Sequence, residues 1–217
     1  DYEELTPVTD AREAVKQGAP QLWPEALGNI GFDWTAPPDP EGKKQAALER
    51  AFKEAGHVVR VDLVNQRLVV ASLEARSATA SYDTAAKQFT LRVGTQGVAS
   101  VRGQIAGAMN IKPEELRLLT EDVGGAFGMK GWCYPEYVPM LHAARAIGKP
   151  IHWTSTRSEA FVTDNQGRDS FWTVELALNS RGRFQALRVD CIGNLGAYFT
   201  GVAHFVFTTH VSGCLPT

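Results

Sequence analysis

The sequence lacks most of the signatures that assign a protein at a glance. Its three cysteines, Cys133, Cys191 and Cys214, are odd in number, far apart and never in C-x-x-C spacing. That argues against a zinc site and against a disulfide framework. Free thiols suit a reducing compartment, so the expected location is cytoplasmic, with a leader ahead of Asp1 left open. No apolar run approaches the roughly 18 residues of a membrane-spanning helix. No run of Lys and Arg supplies the concentrated basic surface that nucleic acid calls for, and 22 basic against 24 acidic side chains leave a net charge of −2. Neither nucleic acid nor a membrane span is expected. There is no G-x-S-x-G elbow and no legible Ser/His/Asp set, which leaves little support for a stand-alone hydrolase. The chain starts Asp1-Tyr-Glu-Glu without a Met and stops at Gly213-Cys-Leu-Pro-Thr217. Both ends read as cut points in a longer chain.

What is present suffices for a core: 217 residues, 44% of them hydrophobic, make one large domain or two small ones. Residues 1–45 contribute little to it. Pro7, Pro20, Pro24, Pro37, Pro38 and Pro40 punctuate them, each removing a backbone donor and restricting its neighbour. One short helix after Thr9 or Asp10 as cap is expected there, and the rest reads as an extended linker. A helix over 41–55 ends at Gly56. Alternation predicts a strand over 57–64, a turn at Asn65-Gln66 and a second strand over 67–73. A hairpin follows, 79–82 with 88–93, then a helix over 97–109 with Val98, Val101, Ile105 and Met109 on one face. A short strand at 116–119, a helix over 135–147 ended by Gly148, and a strand at 151–154 come next. Residues 172–178 and 184–194 flank Asn179-Ser-Arg-Gly182, a strong hairpin signal. The order predicts an α+β chain with mostly antiparallel sheets and helices packed on one face.

Between the strand at 116–119 and the helix over 135–147 lies Gly124-Gly-Ala-Phe-Gly128. Glycines let a backbone approach a ligand closely, and consecutive amides form anion-binding concavities. A tight connection with no ligand is the simpler reading of a bare glycine cluster. A P-loop is excluded because Gly131, not Ser or Thr, follows Lys130. The G-x-G-x-x-G dinucleotide fingerprint fails for want of its third glycine. Phe127 has only small neighbours in the loop, so it either plugs into the core or stands over a ligand.

The stretch D-V-G-G-A-F-G-M-K at 122–130 resembles the D-V-G-G-G-F-G-x-K signature of the molybdenum hydroxylase large subunit, the family of xanthine dehydrogenase, aldehyde oxidase and the aerobic carbon monoxide dehydrogenases. Further matches are collinear with it: Asp1-Tyr-Glu-Glu-Leu-Thr-Pro-Val-Thr-Asp10, Asn65-Gln-Arg-Leu, Leu73-Glu-Ala-Arg76, Ala80-Ser-Tyr-Asp83, Thr95-Gln96, Val101-Arg102, Gly148-Lys-Pro-Ile, Thr156-Arg-Ser-Glu159 and Gly196-Ala-Tyr198. That common order over nearly the whole chain carries the resemblance.

The resemblance implies residues 1–45 as a linker after a preceding N-terminal domain, and 46–217 as the first part of a molybdopterin-binding domain. It implies a molybdenum–pterin cofactor, as molybdopterin or its cytosine dinucleotide, with iron–sulfur clusters and FAD on partner domains or subunits. Gln96 would donate to an oxo ligand, since its amide both donates and accepts; without the motif, a lone Gln is most simply solvated. The amides at Gly124, Gly125, Ala126, Phe127 and Gly128 would contact the cofactor. Phe127 would wall the substrate cavity, which His210 would also approach. The metal takes its sulfur ligands from the pterin, so no ligand cluster is asked of the protein, which supplies positioning and hydrogen bonds.

Two departures bear on this. Ala126 stands where the family has a third glycine, and a shifted loop is expected from its narrower φ range. Gly131 stands where purine-oxidising members carry a glutamate, which disfavours a usual purine and leaves aldehydes, N-heterocycles and related small substrates. The family's catalytic glutamate lies beyond this segment, so the chain alone is expected to be inactive. Glu74 with Arg76 reads as a structural ion pair or as solvated strand residues, and Arg157 with Glu159 as the same at a strand end. The tryptophans read as packing residues and Cys133 as an inert thiol. The alternative is a non-catalytic binding or assembly module on the same fold, for which Ala126 and Gly131 speak.

Overall fold

The structure is a computed structural model that describes residues 3–35, 39–198 and 207. Strands run β1 (His57–Asn65), β2 (Ser77–Asp83), β3 (Gln88–Val93), β4 (Leu116–Leu119), β5 (Ile151–Thr154), β6 (Ser170–Leu178) and β7 (Phe184–Gly193). Helices run α1 (Ala11–Ala14), α2 (Lys43–Lys53), α3 (Val98–Met109), α4 (Tyr137–Ile147) and α5 (Arg157–Thr163). The fold is α+β, and β3–β4 is the one parallel pairing among the described strands. The chain divides into two compact units, Asp1–Arg67 with Arg168–Thr217, and Leu68–Gly167.

The first unit carries a three-stranded sheet, β1-β6-β7. β6 runs antiparallel to β1 in an unbroken register from His57↔Leu178 to Asn65↔Ser170. The β6–β7 turn closes as its sequence asks: Gly182 N donates to Asn179 O at 2.9 Å, and Asn179 Oδ1 accepts from Arg181 N at 2.9 Å. α2 is fixed beside β7 by Arg188, whose guanidinium lies 4.4 Å from the Phe52 ring and bridges Glu49 and Glu175. Between the two sequence candidates for the first helix cap, Asp10 serves, accepting from Arg12 N at 2.8 Å.

The second unit carries the sheet β4-β3-β2-β5. Alternate residues of its central strands, Ala78 and Ala80 on β2 and Phe89, Leu91 and Val93 on β3, are buried together with Leu116 and Leu118. α3 supplies Val101 and Ile105 to the same cluster, and α4 supplies Tyr137, Met140, Leu141 and Ala144. This core is what the 3.6- and 2-residue periodicities of those segments encode.

Two segments differ from their sequence reading. Residues 67–73 form no strand; Leu68 makes a lone bridge to Gly167 and the chain then turns at Ala71, which has φ 48°. A left-handed residue breaks the pleat, whatever the β propensity of Leu68-Val-Val. Residues 157–163, read as a strand end, form helix α5 instead. Thr156 Oγ1 accepts from Glu159 N (3.2 Å), and the Glu159 carboxylate accepts from Thr156 N (2.7 Å). This is a capping box, and the helix it starts follows directly on Ser155. The helix expected from 135 begins two residues later, at Tyr137.

Leu91 is fully buried at the centre of the second unit's core. Leu91→Ala is expected to lower the unfolding free energy by about 2–5 kcal/mol in urea titrations; a change under about 1 kcal/mol would contradict this assignment of the core.

Candidate functional site

The glycine loop leaves β4 and ends in a 3₁₀ turn at Met129–Gly131. Two separate stretches of chain hold it. At its start, Glu74 N donates to Gly124 O at 3.1 Å and Gly124 N donates back to the Glu74 carboxylate. At its end, Lys130 Nζ donates to Glu74 O at 2.9 Å and to Glu74 Oε2 at 3.1 Å. The Lys130 carbonyl accepts from Thr95 Oγ1 at 2.8 Å and from Gln96 N at 3.2 Å. In between, Gly128 N donates to Gln96 Oε1 at 2.8 Å.

Each bond has a sequence reason. A Cβ on Gly124 would lie 2.6 Å from Glu74 Cβ, so only glycine permits this approach. Gly125 has φ +98°, a region closed to most side chains. Ala126, by contrast, is absent from the positive-φ residues, so no glycine is needed there. The loop shift expected from Ala126 has no backbone cause. The unusual residue is Phe127, at φ 49° with its ring 78% exposed. Of the two sequence alternatives, plugging into the core is therefore not what Phe127 does.

The arrangement also leaves donors open. Among the described residues, the amides of Ala126 and Phe127 have no acceptor. Gln96 is exposed, and its Oε1 is committed to Gly128 N. That bond fixes which end of the side-chain amide is which, and Nε2 has no acceptor among the described residues. Buried Lys130 and the carboxylate of Glu74 form the one ion pair of this loop. Burial would raise the Glu74 carboxyl, but the Gly124 amide and the Lys130 ammonium outweigh it and hold it below the usual carboxylate value.

Six residues expected at the site from sequence, Gln96 and 124–128, thus come together; His210 lies outside the described residues. Glu74 and Lys130 were not expected there. Their signals were present, since both fall within the collinear stretches at 73–76 and 122–130. Glu74 does not pair with Arg76. Arg76, with its side chain 1% exposed, is held by Asp164 (2.6 Å) and by both oxygens of Glu136 (3.0 Å each). Its guanidinium lies 3.6 Å from the Tyr134 ring centroid. Burial works against the Arg76 charge, yet the two carboxylates raise its pKa. Tyr134, pushed up to about 12 by burial, donates its hydroxyl to Met129 O at 3.0 Å. Arg157 and Glu159 are not paired either: Arg157 donates to Leu73 O at 2.9 Å, and Glu159 caps α5. Burial, then Glu136, raises the half-buried Cys133 thiol. A raised thiol pKa goes with an inert cysteine.

The site is thus a glycine loop of an α+β chain that closes on itself and leaves two neighbouring amides open. Residues 35–215 match the molybdopterin cofactor-binding domain, and the chain belongs to that family. It is 34% identical over 200 residues to the 6-hydroxypseudooxynicotine dehydrogenase complex subunit gamma of Paenarthrobacter nicotinovorans, covering 92% of this chain and 24% of that protein. It is 29% identical over 210 residues to the carbon monoxide dehydrogenase large chain of Hydrogenophaga pseudoflava, covering 91% and 25%. Among solved structures, reconstituted CO dehydrogenase from Oligotropha carboxidovorans superposes with a TM-score of 0.75 at 25% identity, over 88% of this chain and 24% of that one. The chain therefore spans about a quarter of the length of these relatives. Among the described residues, no helix is long and apolar enough to cross a membrane.

Gly124→Ala is expected to cost about 1–3 kcal/mol through overpacking against Glu74. Gly131→Ala, whose Cβ would meet nothing within 4 Å, is expected to change stability by less than about 0.5 kcal/mol. Equal effects of the two in denaturant titrations would contradict the contact geometry.

Proposed function

We propose that this chain is part of the large catalytic subunit of a molybdenum-dependent hydroxylase or dehydrogenase. Residues 46–217 would be the first part of its molybdopterin-binding domain, and residues 1–45 the linker from an N-terminal domain. The single observation that carries this reading is the set of open donors, Ala126 N, Phe127 N and Gln96 Nε2, on a loop held by Glu74 and by Thr95-Gln96. Donors without acceptors fit a group rich in acceptor oxygens and nitrogens, as a molybdenum–pterin cofactor is. When bound, that group supplies a two-electron oxidation in which a substrate carbon takes oxygen from water. The two electrons pass on to iron–sulfur clusters and FAD on partner domains or subunits.

The residues here bind and position. Gly124, Gly125 and Gly128 shape the loop, because their own amides are already used inside it. Ala126 and Phe127 supply the free main-chain donors. Gln96, its carbonyl tied to Gly128, presents Nε2 to an oxo ligand. The exposed Phe127 ring walls the substrate cavity. Glu74, Glu136 and Glu159 are each committed to a partner, and by the family resemblance the glutamate that activates the reacting oxygen belongs to the rest of the large subunit. The isolated chain is then inactive.

The relatives' names, a dehydrogenase complex subunit and a carbon monoxide dehydrogenase large chain, support a small substrate and partner subunits. An aldehyde, N-heterocycle or related small molecule fits Gly131 better than a purine does. Of the two features that spoke for a non-catalytic module, Ala126 no longer does, since its backbone does not require glycine.

The test is molybdenum and pterin analysis of the full-length protein, beside turnover of a Gln96→Ala variant. Stoichiometric cofactor is expected, together with a loss of about 10²-fold in turnover for the variant, the scale for removing one aimed donor. A folded, complete protein without molybdenum would contradict the reading, as would turnover by the 217-residue chain alone.

A further inference from the structure

The proposed function does not use the buried charge that belongs to the loop itself. Lys130 has its side chain 1% exposed, whereas its partner Glu74 is 38% exposed. A buried ammonium is kept only where donors and charge are both answered. Among the described residues they are answered by one residue, through the main-chain carbonyl and the carboxylate of Glu74. That same carboxylate holds Gly124, at the opposite end of the loop. The ion pair thus ties position 124 to position 130. Glu74 is itself braced: Ser72 Oγ donates to its carbonyl at 2.8 Å, and Arg157 holds the preceding carbonyl of Leu73.

Inside this tie sits the strained residue. A non-glycine at φ 49° persists only where surrounding structure fixes it. Phe127 gains little from its own ring, which is 78% exposed. Locally, Met129 N donates to Ala126 O at 2.8 Å and closes a turn around Phe127 and Gly128, and the loop that carries this turn is held by the Lys130–Glu74 pair, the Glu74–Gly124 exchange, the Gly128–Gln96 bond and the bonds of Thr95 and Gln96 to the Lys130 carbonyl.

We propose that Glu74 and Lys130 are positioning residues whose ion pair holds the glycine loop in its cofactor-competent conformation, with Phe127 left-handed and the Ala126 and Phe127 amides free. The proposal rests on the reading of this loop as the cofactor wall. Neither residue touches the cofactor; both act through the loop.

The test uses the full-length protein with Lys130→Met and Glu74→Gln. Hydrogen exchange at residues 124–128 and at Phe89–Leu91 of β3 is followed in preparations grown without molybdenum, so that bound cofactor contributes no protection. In both variants, loop exchange is expected to rise by about tenfold or more, as local opening does when a buried charge loses its partner, while β3 exchange stays unchanged. In molybdenum-replete preparations, molybdenum per polypeptide is expected to fall several-fold. Glu74→Gln keeps the volume and one acceptor for Gly124 N, so it decides the matter if Lys130→Met does not fold. Unchanged loop exchange in a folded variant overturns the proposal, and so does an equal rise in β3, which would mark a general packing role. If the unmodified protein holds no molybdenum, the cofactor reading fails while the exchange comparison still decides the clamp.

Discussion

A lysine ammonium taken out of water must be answered by charge and hydrogen bonds or it unfolds its surroundings. At Lys130 the answer comes from Glu74, and that requirement organises the region around the loop. The side chain brings in the stretch before β2, while the Lys130 carbonyl collects Thr95 and Gln96 from the stretch before α3. Two segments far from it in sequence are thereby fixed to one short turn. The second buried cation, Arg76, works on the same turn from behind: it lies against the Tyr134 ring, and Tyr134 holds the carbonyl of Met129. The hydrophobic core of β2, β3, α3 and α4 supplies the free energy of folding, while these two cations determine where the loop sits on it.

Much of this was legible in the chain. The hairpins announced themselves through alternation and an Asn/Gly turn, α3 through the spacing of its apolar residues, and α4 through the Gly148 that ends it. Residues 67–73 misled because local propensity cannot show that Ala71 turns left-handed; the turn delivers Ser72 and Glu74 to the loop, a tertiary cause. Helix α5 was readable after all, in the Thr156-x-x-Glu159 spacing, but its position just past β5 drew those charges into a strand reading.

At the site, the glycines and the Thr95-Gln96 pair were identifiable by resemblance, and the loop's physics alone left a ligand undecided. What spacing did not reveal is the division of labour. Glycine at 124 serves close approach, while Phe127 takes the left-handed backbone that one would have given to a glycine. Ala126 needs no special geometry. The charge pairs were mis-assigned because neighbours in sequence, Glu74 with Arg76 and Arg157 with Glu159, are easier to see than partners 56 or 88 residues away.

The central claim is that the free donors of this loop and of Gln96 face the cofactor of a molybdopterin-binding domain. The most direct measurement is a structure of the full-length protein with its cofactor bound. The account predicts cofactor acceptor atoms within about 3.2 Å of Ala126 N, Phe127 N and Gln96 Nε2, the range of a true hydrogen bond. A bound cofactor that leaves all three facing solvent or protein would contradict it.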